Sequence, residues 1–159
     1  MNLRNLFEND EEHQKELDRT GFWGKAGAGC LIFAKSSRRF LIGYRSTYVE
    51  QPNTWGTFGG AIDQNEMPLK AAIREAVEET GLMLNDIIDS QLVFTFKHDS
   101  GFKYFNYIVI VEHEFTPKLN WENSKAEWFD CDQFPTPPHF GLTSLITSSG
   151  FKEFKNTFC

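Results

Sequence analysis

The sequence is poor in cysteine. It holds three, Cys30, Cys131 and Cys159, among 159 residues. Three cannot all pair and their spacing fits no zinc site, so neither a disulfide framework nor a structural metal is implied. With no signal-peptide pattern at the start, a reduced, cytoplasmic chain is expected. Cys159 is the last residue, but no prenylation box surrounds it. Long apolar runs are missing too: none approaches the roughly 20 residues of a membrane-spanning helix, so no membrane partner is expected. Positive charge is also short. Sixteen Lys and Arg against 22 Asp and Glu give a net charge of −6. That balance argues against a nucleic-acid partner, whose backbone needs a basic surface. It leaves small phosphorylated ligands open, because a bound divalent cation inverts the local sign. Repeats and linkers are absent, and the length suits one domain with a proper core, so residues 1–159 are expected to form a single domain. His13, His98, His113 and His139 show no metal spacing. Asp63-Gln64-Asn65 is not a calcium loop, since the required glycine is absent and Pro68 follows.

What is present is aromatic. Sixteen phenylalanines raise the aromatic share to 15%, so large rings are expected to fill the core. Residues 8–18 suggest a short polar helix capped by Asn9 or Asp10, within an N-terminal extension over 1–20. KAGAGCLIFAK and RRFLIGYRS read as two strands joined at Ser36-Ser37. STYVEQPNT is a loop, and TWGTFGG a short strand leading to a helix. QLVFTFKH and FKYFNYIVIVEHEF form a hairpin through Asp99-Ser100-Gly101. KAEWFDC is a further strand, PTPP a break, and HFGLTSLITSS a C-terminal helix with Leu142, Leu145 and Ile146 inward. The fold class is therefore α+β, a mixed sheet flanked by helices.

The segment GGAIDQNEMPLKAAIREAVEETGL, residues 59–82, carries the sharpest pattern. Pro68 suits the first helical turn and Gly81 the position just past the last. Leu69, Ala72, Ile73, Ala76, Val77 and Thr80 recur at helical spacing and make one face. Glu75, Glu78 and Glu79 stand at i, i+3 and i+4, so they share a second face, expected to point outward. They lie in the last turns, where the dipole disfavours anions; like charges at this spacing cost a few tenths of a kcal/mol per pair. A solvated acidic face is one explanation. A hard divalent cation, which takes oxygen ligands and bridges to phosphates, is the other.

Gly60, Glu66 and Arg74-Glu75-Ala76-Val77-Glu78-Glu79-Thr80-Gly81-Leu82 resemble the Nudix box, G-x5-E-x7-R-E-U-x-E-E-x-G-U, where U is a bulky aliphatic. Every fixed position matches except Ala76, which is smaller than the usual first U but still apolar. The strand order around the box is also similar to the Nudix α/β/α sandwich. The resemblance implies a Mg²⁺- or Mn²⁺-dependent pyrophosphohydrolase that cleaves a nucleoside diphosphate linked to another moiety X. Candidate substrates are dNTPs, nucleotide sugars, ADP-ribose and dinucleoside polyphosphates. The alternative is a Nudix-fold sensor that binds such a nucleotide without cleaving it. Sensors of that kind usually have a broken box, whereas this one keeps its acids. A homodimer is a further expectation, since such enzymes often pair.

The resemblance also assigns roles. Glu75, Glu78 and Glu79 would be metal ligands, or ligands and a general base. Glu66 and Arg74 would pair and hold the loop–helix–loop shape. Gly59 and Gly60 would let the backbone pass close to the metal, with the Gly59 carbonyl a further ligand. WENSKAEWF resembles the segment of MutT-like members in which an acid precedes a Glu-Trp pair by five, which makes Glu122 the distal ligand or base, with Glu112 and Glu114 as competitors. Arg45, ending the strand LIGYR, would face the substrate phosphates, or it is a surface arginine. Phe22, Trp23, Phe102 and Tyr104 are either core residues or a platform for a base.

Overall fold

The structure, a computed structural model, describes residues 3–159, with side-chain surroundings from Asp10 onward. Helix α1 (Leu3–Thr20) leads into β1 (Ala26–Ala34) and β2 (Arg39–Arg45). Two short strands, β3 (Trp55–Gly56) and β4 (Phe58–Ala61), precede α2 (Pro68–Thr80). The hairpin β5 (Ile87–Lys97) and β6 (Lys103–Val111) follows, then β7 (Asn123–Asp130), α3 (Phe140–Ile146) and α4 (Ser149–Phe158). Two expectations change at the ends. The N-terminal helix is longer than residues 8–18, so Asn9 and Asp10 lie inside it and not at its start; Met1 and Asn2 of the expected extension fall outside the described residues. The helix expected over HFGLTSLITSS ends at Ile146, and a second helix follows it. Ser148 stops the first and starts the second, its hydroxyl accepting the Phe151 N–H at 3.2 Å.

The seven strands form one mixed sheet, in the order β3-β2-β1-β6-β5 with β4 added to β1 and β7 to β2. β1 lies parallel to β6 along its whole length, Ala26 opposite Lys103 and Ala34 opposite Val111. On its other edge β1 changes partner. Its second half pairs with β2 and its first half with β4, Gly29 facing Gly59.

Strand alternation divides the core in two. Cys30, Ile32, Leu41, Phe58 and Val109 pack toward Ala76 and Leu82 at α2. Leu31, Phe33, Phe40, Ile42, Ile108 and Ile110 pack on the opposite face against Leu142, Leu145, Phe151 and Phe154 of α3 and α4. This is the expected α/β/α arrangement, and the phenylalanines do fill it: Phe33 meets Phe40 and Phe154 at 4.9 and 5.1 Å. Ile146 is only partly buried at its edge.

The reading of a wholly reduced chain is corrected. Cys131, just past β7, and Cys159, just past α4, are joined as a disulfide with their Cα atoms 6.4 Å apart. Sequence spacing could not show this, because the pair spans a break and two helices that only tertiary packing folds back. Cys30 stays free and buried. Among the described residues no helix is long and apolar enough to cross a membrane.

Candidate active site

Helix α2 is bounded as its sequence dictates. Pro68 occupies its first turn, and Gly81 takes φ 74°, which a side chain would strain, so that its N–H reaches the Val77 carbonyl. The helix lies across β1, β4 and β6, and that seating sorts its acids. Glu75 and Glu79, one turn apart in the same row, are buried to 9% and 4% exposure. Glu78 falls roughly 100° away from Glu79 around the axis. Its side chain is 51% exposed and sits 3.6 Å from Arg74. The three glutamates therefore do not share one outward face; two turn inward.

They turn toward glycine and toward β7. A Cβ on Gly60 would come 2.6 Å from Glu75 Oε1, so the missing side chain is what admits the carboxylate. A Cβ on Gly59 would strike the Tyr104 hydroxyl and come 2.7 Å from Gly29 Cα, so only glycine lets β4 lie this close to β1. Glu122 immediately precedes β7, its carbonyl accepting the Ser46 N–H at 2.9 Å and its own N–H held by Asn120 Oδ1 at 3.0 Å. One carboxylate oxygen each from Glu75, Glu79 and Glu122 lies within 4.8 Å of the others. Glu78 stands outside this group.

The competing acids are elsewhere. Val111, where β6 ends, sits opposite Ala34, whereas Gly59 sits opposite Gly29. Five residues along β1 separate those positions, about 16 Å of strand. Glu112 is exposed at that far end, and Glu114 pairs with Arg39 at 3.3 Å. The long sixth strand expected to reach residue 115 stops at Val111, which leaves both acids on the connection beyond it.

Electrostatics follow from this seating. Burial pushes the Glu75 carboxyl up to about 7; Arg74 opposes the rise, while Glu78 and Glu122 add to it. Glu79 rises well above the usual carboxylate range, first through burial and then through Glu122 and Glu75. Its Oε1 accepts from Asn123 Nδ2 at 3.3 Å, but its Oε2 is buried with no partner. Three crowded carboxylates, Glu75 and Glu79 buried and Glu122 partly so, one with an orphaned oxygen, are a hard-oxygen donor set of the kind Mg²⁺ and Mn²⁺ take. Glu66 and Arg74 form the expected clasp. Arg74 Nε and Nη2 donate to Glu66 at 2.9 and 3.0 Å, and Glu66 also accepts the Asp63 N–H at 3.1 Å. Burial alone would raise the Glu66 carboxyl, but those bonds hold it below its ordinary value.

A cavity of about 290 Å³ opens beside Gly59 and Gly60. Arg45 lines it, donating to the Glu50 carbonyl from Nε at 2.8 Å. Burial lowers the Arg45 pKa, and the nearby Glu79 opposes that fall. Phe22, Trp23, Phe96, Phe102, Tyr104 and Phe140 also line the cavity, as do the polar Gln51, Thr57 and Ser144. Phe22 and Phe102 stack at 4.4 Å and 9° between planes. All four aromatics singled out from the sequence thus meet at one cavity. Three contributors were not legible there. Asn123 steadies Glu79; its position beside Glu122 was the only signal. His139 lines the cavity, and its Nδ1 accepts the Gly141 N–H at 3.0 Å to start α3. Asn106 is buried in β6 at the cavity wall.

A family profile for the NUDIX domain matches residues 24–144. A nucleoside triphosphate pyrophosphatase/Nudix hydrolase fusion protein of Bifidobacterium longum is 27% identical over 123 residues, 71% of this chain and 25% of that protein. The dihydroneopterin triphosphate diphosphatase of Haemophilus influenzae is 28% identical over 102 residues, 64% of this chain and 58% of that one. The chain thus spans a quarter to somewhat over half the length of these two relatives. Among solved structures, a Nudix hydrolase from M. smegmatis superposes with a TM-score of 0.70 at 24% identity, covering 86% of this chain and 87% of its own.

Proposed function

The chain belongs to the Nudix family, and on that premise we propose that it is a divalent-metal-dependent pyrophosphohydrolase acting on a nucleoside diphosphate linked to a moiety X. The observation that carries this reading is the Glu75–Glu79–Glu122 cluster, with its buried, unpaired Glu79 oxygen, set against Gly60, which with Arg45 and stacked rings lines a cavity. Glu75, Glu79 and Glu122 would hold Mg²⁺ or Mn²⁺, with the Gly59 carbonyl as a further ligand and Glu78 supporting from the rim. The cation, when bound, supplies charge stabilisation at the phosphate oxygens and eases deprotonation of water. A carboxylate of the cluster takes the proton of the attacking water. Arg45 offers its guanidinium to the diphosphate, a geometry suited to paired oxygens. Phe22 and Phe102, stacked on each other, and Tyr104 offer a ring wall for the base. Glu66 and Arg74 touch no substrate; they fix the loop that presents Gly59 and Gly60. The whole of residues 1–159 is read as one such domain, with α1 as its extension.

The test is a panel of dNTPs, nucleotide sugars, ADP-ribose and dinucleoside polyphosphates, assayed by phosphate release after phosphatase coupling with Mg²⁺ and with Mn²⁺. Cleavage at a phosphoanhydride that stops on chelation is expected. Binding of these compounds with no cleavage under either metal would instead make the chain a sensor.

A further inference from the structure

Among the polar residues lining the cavity, Asn106 is the one with a buried atom that has no hydrogen-bond partner. Asn106 is 3% exposed and lines the cavity wall. Its Oδ1 has no hydrogen-bond partner, and its Nδ2 reaches only the Tyr104 carbonyl at 3.5 Å. A buried acceptor left unpaired destabilises a fold, and the neighbouring strands offer no remedy. Opposite it stand Gly29 on β1, which has no side chain, and Phe94 on β5, which has no side-chain polar atom. The same cavity is lined by Phe96, Phe102, Tyr104 and Phe140, and by the polar Gln51 and Ser144.

Ring walls with a buried, unpaired carboxamide oxygen among them suit a flat heteroaromatic group with a polar edge. A carboxamide sets an acceptor beside a donor, and nucleobase edges set a donor beside an acceptor in the same plane. We infer that Asn106 reads the edge of the substrate's base and sets which base is accepted, an inference that rests on the reading of the cavity as a nucleotide site. The Oδ1 accepts a base N–H, and the Nδ2, loosely held at 3.5 Å, turns from Tyr104 to donate to the base.

The experiment replaces Asn106 by Leu, close in size and without polar atoms, and separately by Ser, which fits without crowding. Binding of ADP, GDP, CDP and UDP is measured by calorimetry with Mn²⁺ present, alongside kcat and KM for matching nucleoside diphosphate sugars. The wild type should prefer one base. In both variants affinity for that base should fall roughly tenfold to a hundredfold and the ratio between bases should approach one. The melting temperature of Asn106→Leu without ligand should not fall, because no internal bond of consequence is lost. Equal affinity for all four bases in the wild type, or an unchanged ratio in the folded variants, overturns the inference while leaving a hydrolase intact. A fall in melting temperature with unchanged selectivity assigns Asn106 to the fold alone. If the wild type binds without cleaving, the hydrolase reading falls and the binding ratios still judge Asn106. If it neither binds nor cleaves, both readings fall.

Discussion

Replacing Glu79 by Gln should move stability in opposite directions with and without metal. Glu79 is 4% exposed, has one weak bond to Asn123 and one orphaned oxygen, and lies against Glu75 and Glu122. Without metal, the amide removes a crowded carboxyl and gains two N–H groups that Glu122 and Glu75 can accept. Relief of one buried unsatisfied polar atom is worth about 1–3 kcal/mol. For a chain of 159 residues that is roughly 2–12 °C in melting temperature. The metal-free variant should therefore melt higher than the metal-free wild type. With millimolar Mn²⁺ the order reverses: the wild type gains stability by mass action and the variant gains little. Turnover should fall at least about 10²-fold, the lower range for a lost acid–base group. The assays are thermal melts with EDTA and with Mn²⁺, and steady-state kinetics on the best substrate. A variant that melts lower without metal, or keeps near-native turnover, would refute the reasoning, since either result means that Glu79 is not a crowded carboxylate awaiting a cation.

The remaining predictions separate roles within and around the cluster. Glu66→Gln loosens the Arg74 clasp and should lower stability by about 1–3 kcal/mol in urea denaturation, with a smaller effect on Mn²⁺ affinity by titration; the reverse pattern would make Glu66 a ligand. Glu122→Gln should slow turnover about tenfold to a hundredfold, while Glu114→Gln, whose partner is Arg39 at the far end of the sheet, should leave it unchanged; a crippling effect at Glu114 would reassign the distal acid. His139 is held neutral down to about 4, by burial and then by Arg45, against an ordinary value of 6.5. Between those values the unfolded chain binds the extra proton, so this group's contribution to stability is complete above about 6.5 and is lost as pH falls toward 4. His139→Asn keeps a cap acceptor and cannot titrate, so the melting-temperature difference between wild type and variant should change across that window; a constant difference would refute the assignment.

Much of the site was legible because it is local. Gly60, Glu66, Arg74 and Gly81 act within one loop–helix–loop, and the clasp and the helix stop depend on contacts a few residues apart, which spacing encodes. Glu122 was legible only through the segment around it, and the four aromatics only as candidates. Helix periodicity placed Glu75, Glu78 and Glu79 near one another, but it could not say which way the helix would lie on the sheet. That orientation comes from Ala72, Ala76 and the glycines of β1 and β4, and it buries Glu75 and Glu79 while leaving Glu78 at the rim.

The sequence alone determined the family, the α2 boundaries, the hairpins and the set of acids from which the cluster is drawn, because each depends on residue type at short separation. Tertiary structure decided the rest. It set Glu122, and not Glu112 or Glu114, beside Glu75 and Glu79, since β7 enters the sheet beside β2 at one end while β6 ends at the other. It joined Cys131 to Cys159 across 28 positions. It also brought Asn106 and His139 to the cavity and Asn123 to Glu79, from three separate elements. Strand register and helix seating fix those meetings, and they are set by how whole faces bury apolar surface, a sum over distant residues that no short stretch of sequence contains.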